Sequence, residues 1–147
     1  MNTVDYEALL QAALDARSRA YAPYSRFSVG AALLTANGQI FPGCNIENAA
    51  YSMCLCAERS ACAGAWSAGE QRFVAMAVVA DTPGPVSPCG ACRQFLFELA
   101  PAMPILLANL QGARQLTSPG ELLPGGFSPA SLEFGGQGAG ARDQDSE

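Results

Sequence analysis

The chain has no histidine and six cysteines, so a zinc site in it would be all-cysteine plus water. The informative sulfurs stand where helices begin. Cys56-Ala57-Glu58 lies at the head of a helix-favouring stretch, Leu55 to Ser67. Pro88-Cys89-Gly90-Ala91-Cys92 opens a second, Cys89 to Leu99. In the second motif the spacing puts both cysteines on one face of the first turn. Backbone N–H groups at a helix N-terminus lower thiol pKa and stabilise charge on sulfur. Zinc takes tetrahedral nitrogen or sulfur ligands, and a catalytic zinc keeps one position open for water. Cys56, Cys89 and Cys92 would fill the other three. A fold that does this must bring two helix N-termini, distant in sequence, to one point. The missing histidine also removes Ser-His-Asp and Cys-His catalysis, histidine-based zinc proteases and histidine proton shuttles.

Periodicity supplies the elements. Val4 to Ala20, with Leu9, Leu10, Ala13 and Leu14 at helical spacing, predicts an opening helix, with Thr3 as its cap and Pro23 beyond its end. Phe27 to Thr35 predicts a buried strand. Asn37-Gly38 predicts a tight turn into Gln39 to Cys44, antiparallel to it. A loop from Asn45 to Met53 leads into the first cysteine helix. Arg72 to Ala80 predicts a second buried strand, stopped by Asp81-Thr82-Pro83-Gly84-Pro85. After the second cysteine helix, Ile105 to Ala108 and Ala113 to Leu116 predict two short strands. Helices and strands alternating in this way predict an α/β domain of three layers, α/β/α. Composition changes after Phe127, and Gly135 to Glu147 is glycine, glutamine and charge. The expected organisation is one domain over 1–127 and a largely disordered C-terminal tail over 128–147.

Charge narrows the partners. Eight basic residues, all arginine, face thirteen acidic ones, for a net charge of −5. That balance argues against nucleic-acid and anionic-membrane binding, which need clustered cations. No basic leader precedes an apolar segment, and the longest apolar run, Phe73 to Ala80, falls far short of the ~20 residues of a membrane span. A cytoplasmic location is expected, where six cysteines serve as ligands or core residues rather than disulfides.

Three thiolates leave zinc with excess negative charge, which weakens its pull on a water proton. The two helix N-termini and Arg59, donating to one or two thiolates, would offset that charge. Glu58 alone reads as a first-turn carboxylate favoured by the helix dipole. Beside a metal-activated water it reads as the group that takes the water proton and delivers it to substrate. A lone Cys-x-x-Cys is a weak signal and is shared with thioredoxin-like redox pairs. Cys-x-Glu followed by Pro-Cys-x-x-Cys, each opening a helix, is a strong one, similar to the signature of zinc nucleobase deaminases.

Five motifs extend the likeness. They are Ala22-Pro23-Tyr24-Ser25-Arg26-Phe27-Ser28-Val29-Gly30-Ala31-Ala32-Leu33, Gly43-Cys44-Asn45-Ile46-Glu47-Asn48-Ala49-Ala50-Tyr51, Cys56-Ala57-Glu58-Arg59, Ser87-Pro88-Cys89-Gly90-Ala91-Cys92-Arg93-Gln94, and Leu122-Leu123-Pro124 with Phe127. In this order they resemble the small homotetrameric zinc-dependent cytidine deaminases, from Tyr6 to Phe127. The resemblance implies a cytidine-deaminase-like fold on a central mixed five-stranded sheet, and one zinc per chain on Cys56, Cys89 and Cys92. It implies Glu58 as proton shuttle and Arg59 behind the thiolates. Phe27 would lie beside the base, the Ala57 N–H would meet the pyrimidine 2-oxo group, and Asn45 and Glu47 would hold the ribose 3′-hydroxyl. Tyr51 and Phe127 would complete a neighbouring subunit's site in a homotetramer. Phe27 and Tyr51 read equally as core, and Asn45 and Glu47 as loop polar residues. Cys54 and Cys62 depart from the pattern. Each reads as a small packing group, with Cys54 the rival ligand, and Cys44 has no assigned role.

The expected activity is hydrolytic deamination of cytidine and deoxycytidine to uridine and deoxyuridine, in pyrimidine salvage, on small-molecule nucleosides. The alternatives are a deaminase of a cytosine-containing nucleoside antibiotic such as blasticidin S, and a non-catalytic zinc-binding module with Cys54 as fourth ligand. A polynucleotide deaminase would want a basic surface, and this chain has no lysine.

Overall fold

The structure is a computed structural model and describes residues 3–132. Its elements run α1 (Tyr6–Arg17), β1 (Val29–Thr35), β2 (Ile40–Cys44), α2 (Ala57–Ser67), β3 (Phe73–Ala80), α3 (Gly90–Leu99), β4 (Ile105–Ala108), β5 (Arg114–Thr117) and α4 (Pro119–Leu122). Single 3-10 turns lie at Tyr51–Met53 and Pro129–Leu132. Of the expected tail, 133–147 lies outside the described residues. No described helix is long and apolar enough to cross a membrane.

The five strands form one mixed sheet in the order β2-β1-β3-β4-β5. β1 pairs antiparallel with β2 and with β3, β3 pairs parallel with β4, and β4 pairs antiparallel with β5. The parallel pair needs a crossover, and α3 is that crossover. Pro42 lies in β2, at the sheet edge, where a missing N–H costs no inner ladder bond.

Strand alternation divides the core between the two faces. Ala31, Leu33, Met76, Val78, Ile105 and Leu107 pack under α2 and α3 with Ala61, Cys62, Ala65 and Leu96. Ala32, Ala75, Ala77, Val79 and Leu106 pack on the other face under Leu9, Leu10 and Ala13 of α1. This is the expected three-layer α/β/α arrangement. Cys62 is fully buried and serves as core, with burial lifting its thiol pKa to about 12.

Among the boundaries that differ from the sequence reading, three have a clear local reason. Asp5 rather than Thr3 caps α1, its carboxylate accepting the Ala8 N–H at 3.1 Å. The helix stops at Arg17 rather than Ala20 because the chain must turn to pair Tyr21 with the loop. The Tyr21 N–H donates to Asn45 O, and the Glu47 N–H donates to Tyr21 O. β1 begins at Val29 rather than Phe27. Ahead of it, the Asn45 side chain replaces a ladder strand, accepting from the Val29 N–H at 2.8 Å and donating to Phe27 O at 2.7 Å.

Two glycines let the helices close on the hairpin. A Cβ on Gly30 would stand 1.9 Å from Ala13 O, and one on Gly43 would stand 2.3 Å from Ala57 O and 2.5 Å from Ala61 N. Gly30 therefore admits α1 and Gly43 admits α2, from opposite faces. Gly43 matters more for chemistry, since Ala57 and its neighbours carry Cys56 and Glu58. Gly43→Ala is expected to destabilise the protein by about 1–3 kcal/mol in urea unfolding, as overpacking against backbone does. A loss under about 0.5 kcal/mol would mean that α2 slides freely, contrary to this packing.

Candidate active site and metal centre

Cys56 and Cys89 are each the N-cap residue of a helix, in extended backbone conformation, and Cys92 lies in the first turn of α3. α2 and α3 stand on the same face of the sheet. Their N-termini meet, and the sulfurs of Cys56, Cys89 and Cys92 lie within 4.8 Å of one another. The Cys56 and Cys89 sulfurs are 3.8 Å apart. Two thiolates about 2.3 Å from a tetrahedral zinc would stand about 3.8 Å apart, so the spacing fits one zinc ion. The Cys92 N–H also donates to the Cys89 sulfur at 3.5 Å, a helix-end stabilisation of thiolate charge.

The protonation pattern points the same way. Hydrogen bonding from Cys92 first, and from Arg59 and Cys89, draws the Cys56 thiol down to about 5 against the opposing effect of burial. The Cys92 thiol is pushed strongly up by its bond to Cys56, by burial and by the charge of Glu58. A bound divalent ion would favour the thiolate form of all three. Arg59 Nη2 donates to the Cys56 sulfur at 3.6 Å and to Cys54 O at 3.4 Å, and its buried Nε has no hydrogen-bond partner among the described residues. Of the three sulfurs, Arg59 reaches that of Cys56.

Glu58 is 4% exposed yet lines the cavity beside the cluster. Burial is the main cause of a raised carboxyl pKa, opposed by a hydrogen bond from its own backbone and reinforced by charge on Cys56. A carboxyl that resists ionisation next to a metal position is suited to cycling a proton.

The cavity measures about 260 Å³ and collects most of the residues singled out in the sequence: Phe27, Asn45, Glu47, Cys56, Ala57, Glu58 and Cys89. Ala57 opens α2, so its N–H has no partner within the helix. Glu47 is held by its own surroundings. Oε1 accepts from the Tyr24 and Ser25 N–H groups at 2.9 and 3.1 Å, and Oε2 accepts from the Ser25 hydroxyl. These bonds, the Ser25 hydroxyl foremost, hold its pKa below the usual carboxylate range.

Other placements differ. Tyr51 and Phe127 do not line this chain's cavity. Tyr51 is 74% exposed and stacks edge-on against Tyr24, with ring centroids 5.8 Å apart. Phe127 is exposed, and its carbonyl accepts from Gln94 Nε2 at 2.8 Å. Cys54 lines the cavity, but its sulfur accepts from the Asn48 N–H at 3.3 Å and is not in the metal cluster. Arg26 sits at φ 59° ahead of β1, in the left-handed region, and turns the chain between the segment held by Glu47 and Phe27.

Sequence reasoning assigned no site role to five lining residues: Ser25, Val29, Leu55, Val86 and Ser87. Ser25, Val29 and Ser87 lie inside the family-like motifs without an assigned role. Leu55 and Val86 carry no signal, because a cavity wall and a core face have the same periodicity.

Residues 3–107 match the cytidine and deoxycytidylate deaminase zinc-binding region. The chain is 54% identical over 132 residues to a cytidine deaminase of Sporosarcina psychrophila, covering 89% of this chain and 97% of that protein. It is 53% identical over 130 residues to one from Halalkalibacterium halodurans, covering 88% and 98%. A crystal structure of cytidine deaminase from Burkholderia pseudomallei superposes with a TM-score of 0.82 at 52% identity, covering 84% of this chain and all of that one.

The geometry leads to a metal-content experiment. Elemental analysis is expected to give one zinc per chain, lost on replacing Cys56, Cys89 or Cys92 by Ala and retained in Cys54→Ala. Retention in Cys56→Ala with loss in Cys54→Ala would reverse the ligand assignment.

Proposed function

The chain belongs to the cytidine and deoxycytidylate deaminase family, and from that premise we propose how its own residues do the work. It is a zinc-dependent enzyme that hydrolytically deaminates cytidine and deoxycytidine to uridine and deoxyuridine. The observation that carries the residue assignment is the meeting of three sulfurs at zinc spacing beside a cavity lined by Cys56, Cys89 and the buried carboxyl of Glu58.

Cys56, Cys89 and Cys92 would hold the zinc, which when bound would supply the Lewis acidity that makes water nucleophilic at neutral pH. Glu58 accepts the proton that the water loses and delivers it to N3 of the ring as C4 becomes tetrahedral. It then takes a second proton from the hydroxyl now on C4 and passes it to the exocyclic amine, so that the C4–N bond breaks, ammonia leaves and C4 becomes the carbonyl of the uridine ring. The raised pKa of Glu58 suits both directions of transfer. The Ala57 N–H donates to the 2-oxo group, and Phe27 covers a face of the base. Asn45 and Glu47 take the ribose 3′-hydroxyl with the hydrogen-bonding capacity left after their bonds to the β1 entry and the Tyr24–Ser25 turn. The Asn45 amide keeps a second N–H, and Glu47 Oε2 keeps a lone pair.

The same reading makes the chain a cytoplasmic enzyme of pyrimidine nucleoside salvage that works as a homotetramer. Tyr21, Tyr24, Ile46, Tyr51 and Met53 are exposed on two segments joined by the Tyr21–Ile46 bridge and the Tyr24–Tyr51 stack. Apolar surface gathered in this way calls for a partner. In this reading Tyr51 and Phe127 reach a neighbouring subunit's site. Sedimentation at micromolar concentration is expected to give the mass of a tetramer, and a fully active monomer would contradict the arrangement.

The deciding experiment follows loss of the cytidine absorbance band. Cytidine and deoxycytidine should be turned over, and their 5′-phosphates far less, since the ribose segment Asn45 to Tyr51 offers Glu47 and no cation. Glu58→Gln should keep zinc and fold and lose at least about 10²–10⁴-fold in kcat. Activity within about tenfold of the parent would remove Glu58 from the proton path.

A further inference from the structure

Arg93 and Gln94 follow the last cysteine of the metal motif, and neither lines the cavity. Arg93 is half-buried and spends its guanidinium on three acceptors. Nε donates to Pro88 O at 2.9 Å, Nη2 to the Ser87 hydroxyl at 2.5 Å, and Nη1 to Leu122 O at 2.9 Å. Two of these acceptors belong to the turn that delivers Cys89. The third lies at the end of α4, 29 residues further on.

The turn needs such a holder. Between β3 and α3 the chain runs along the cavity, and Val86, Ser87 and Cys89 all line it. Pro88 has no N–H to donate. The nearest backbone bonds on either side are a long one from the Val86 N–H to Ala108 O, at 3.4 Å, and the first helical bond to Cys89 O. α4 is by contrast firmly seated. Ser118 caps it, the Gly120 N–H donates to Pro101 O at 2.8 Å, and Gly126 lies against Phe97 and Leu123. Its last carbonyls lack helical donors, and Arg93 supplies one. One residue on, Gln94 Nε2 fixes Phe127 O.

We propose that Arg93 is a positioning residue for the metal centre. Its planar fork pins the Ser87–Pro88 turn to α4, keeping the Cys89 sulfur at its 3.8 Å separation from Cys56. Together with Gln94 it also keeps the segment from Leu122 to Phe127 in register with that turn. This rests on the zinc reading of the three thiols. The acceptors lie in two separate pieces of chain, so the role belongs to a guanidinium. An ammonium is a compact point charge and cannot present the same flat array of donors.

The test uses the full-length, zinc-loaded protein with Arg93→Lys and Arg93→Gln, and with Arg114→Ala as control. Arg114 pairs with Glu7, between β5 and α1, outside the cavity. Three readouts are taken: the rate of zinc release to a colorimetric chelator, the visible band of the cobalt-substituted protein, and kcat and KM on cytidine. Both Arg93 variants should release zinc about 10–100-fold faster, as when a partner of a metal ligand is lost. The cobalt band, which reports ligand geometry and not global stability, should shift. kcat should fall with little change in KM, and Arg114→Ala should match the parent throughout. Should Arg93→Gln fail to fold, Arg93→Lys decides alone. A cobalt band superimposable on the parent's, or zinc release within about twofold of it, overturns the proposal whatever happens to turnover. A parent protein that binds zinc but leaves cytidine untouched would refute the deaminase reading and leave the metal readouts to judge Arg93.

Discussion

Everything at this site depends on two helix N-termini converging on three sulfurs. A thiolate cluster is costly to assemble: the hydrogen bond between Cys56 and Cys92 lowers the pKa of the first thiol and raises that of the second, and burial opposes ionisation of both. The fold offsets the cost with backbone dipoles and with Arg59. α2 and α3 both begin at a cysteine of the cluster, and the Cys92 N–H reaches the Cys89 sulfur directly. That convergence depends in turn on the sheet. α2 follows the β1–β2 hairpin, α3 crosses over between parallel β3 and β4, and both must lie on one face. Gly43 sets how closely the first of them approaches.

The polar residues around the cavity have a structural duty before a ligand arrives. Asn45 substitutes for a missing strand ahead of β1, and Glu47 gathers the Tyr24–Ser25 turn. Phe27 stands between those two attachments and takes its place in the cavity wall from both. The left-handed backbone of Arg26 is the tight corner that this clamping requires. Groups held in this way lose little further freedom when a ligand binds, so the wall is preorganised.

Arginine is the chain's only basic residue type, and at the site it works inward. Arg59 faces a sulfur, and Arg93 ties the turn before Cys89 to α4. Neither adds to a cationic surface, which agrees with a site for neutral nucleosides and with a net charge of −5.

Much was legible in the sequence because much of it is local. The Cys-x-Glu and Pro-Cys-x-x-Cys motifs, the Asn37-Gly38 turn and the apolar strands each express chemistry within a few residues, and each appeared where periodicity and spacing put it. Ends of elements were less legible. The early stop of α1 and the late start of β1 are set by Asn45 and Glu47, partners far along the chain. The sequence by itself determined which atoms could bind metal and carry a proton, since donor type and helix-start position are written in the residues. Only the tertiary structure decided that Cys56 and Cys89 come within 3.8 Å, that Cys54 turns to the Asn48 backbone, and that Arg93 reaches Leu122. Those are distances between segments, and they follow from how the helices pack on one face of a shared sheet, which no local pattern encodes.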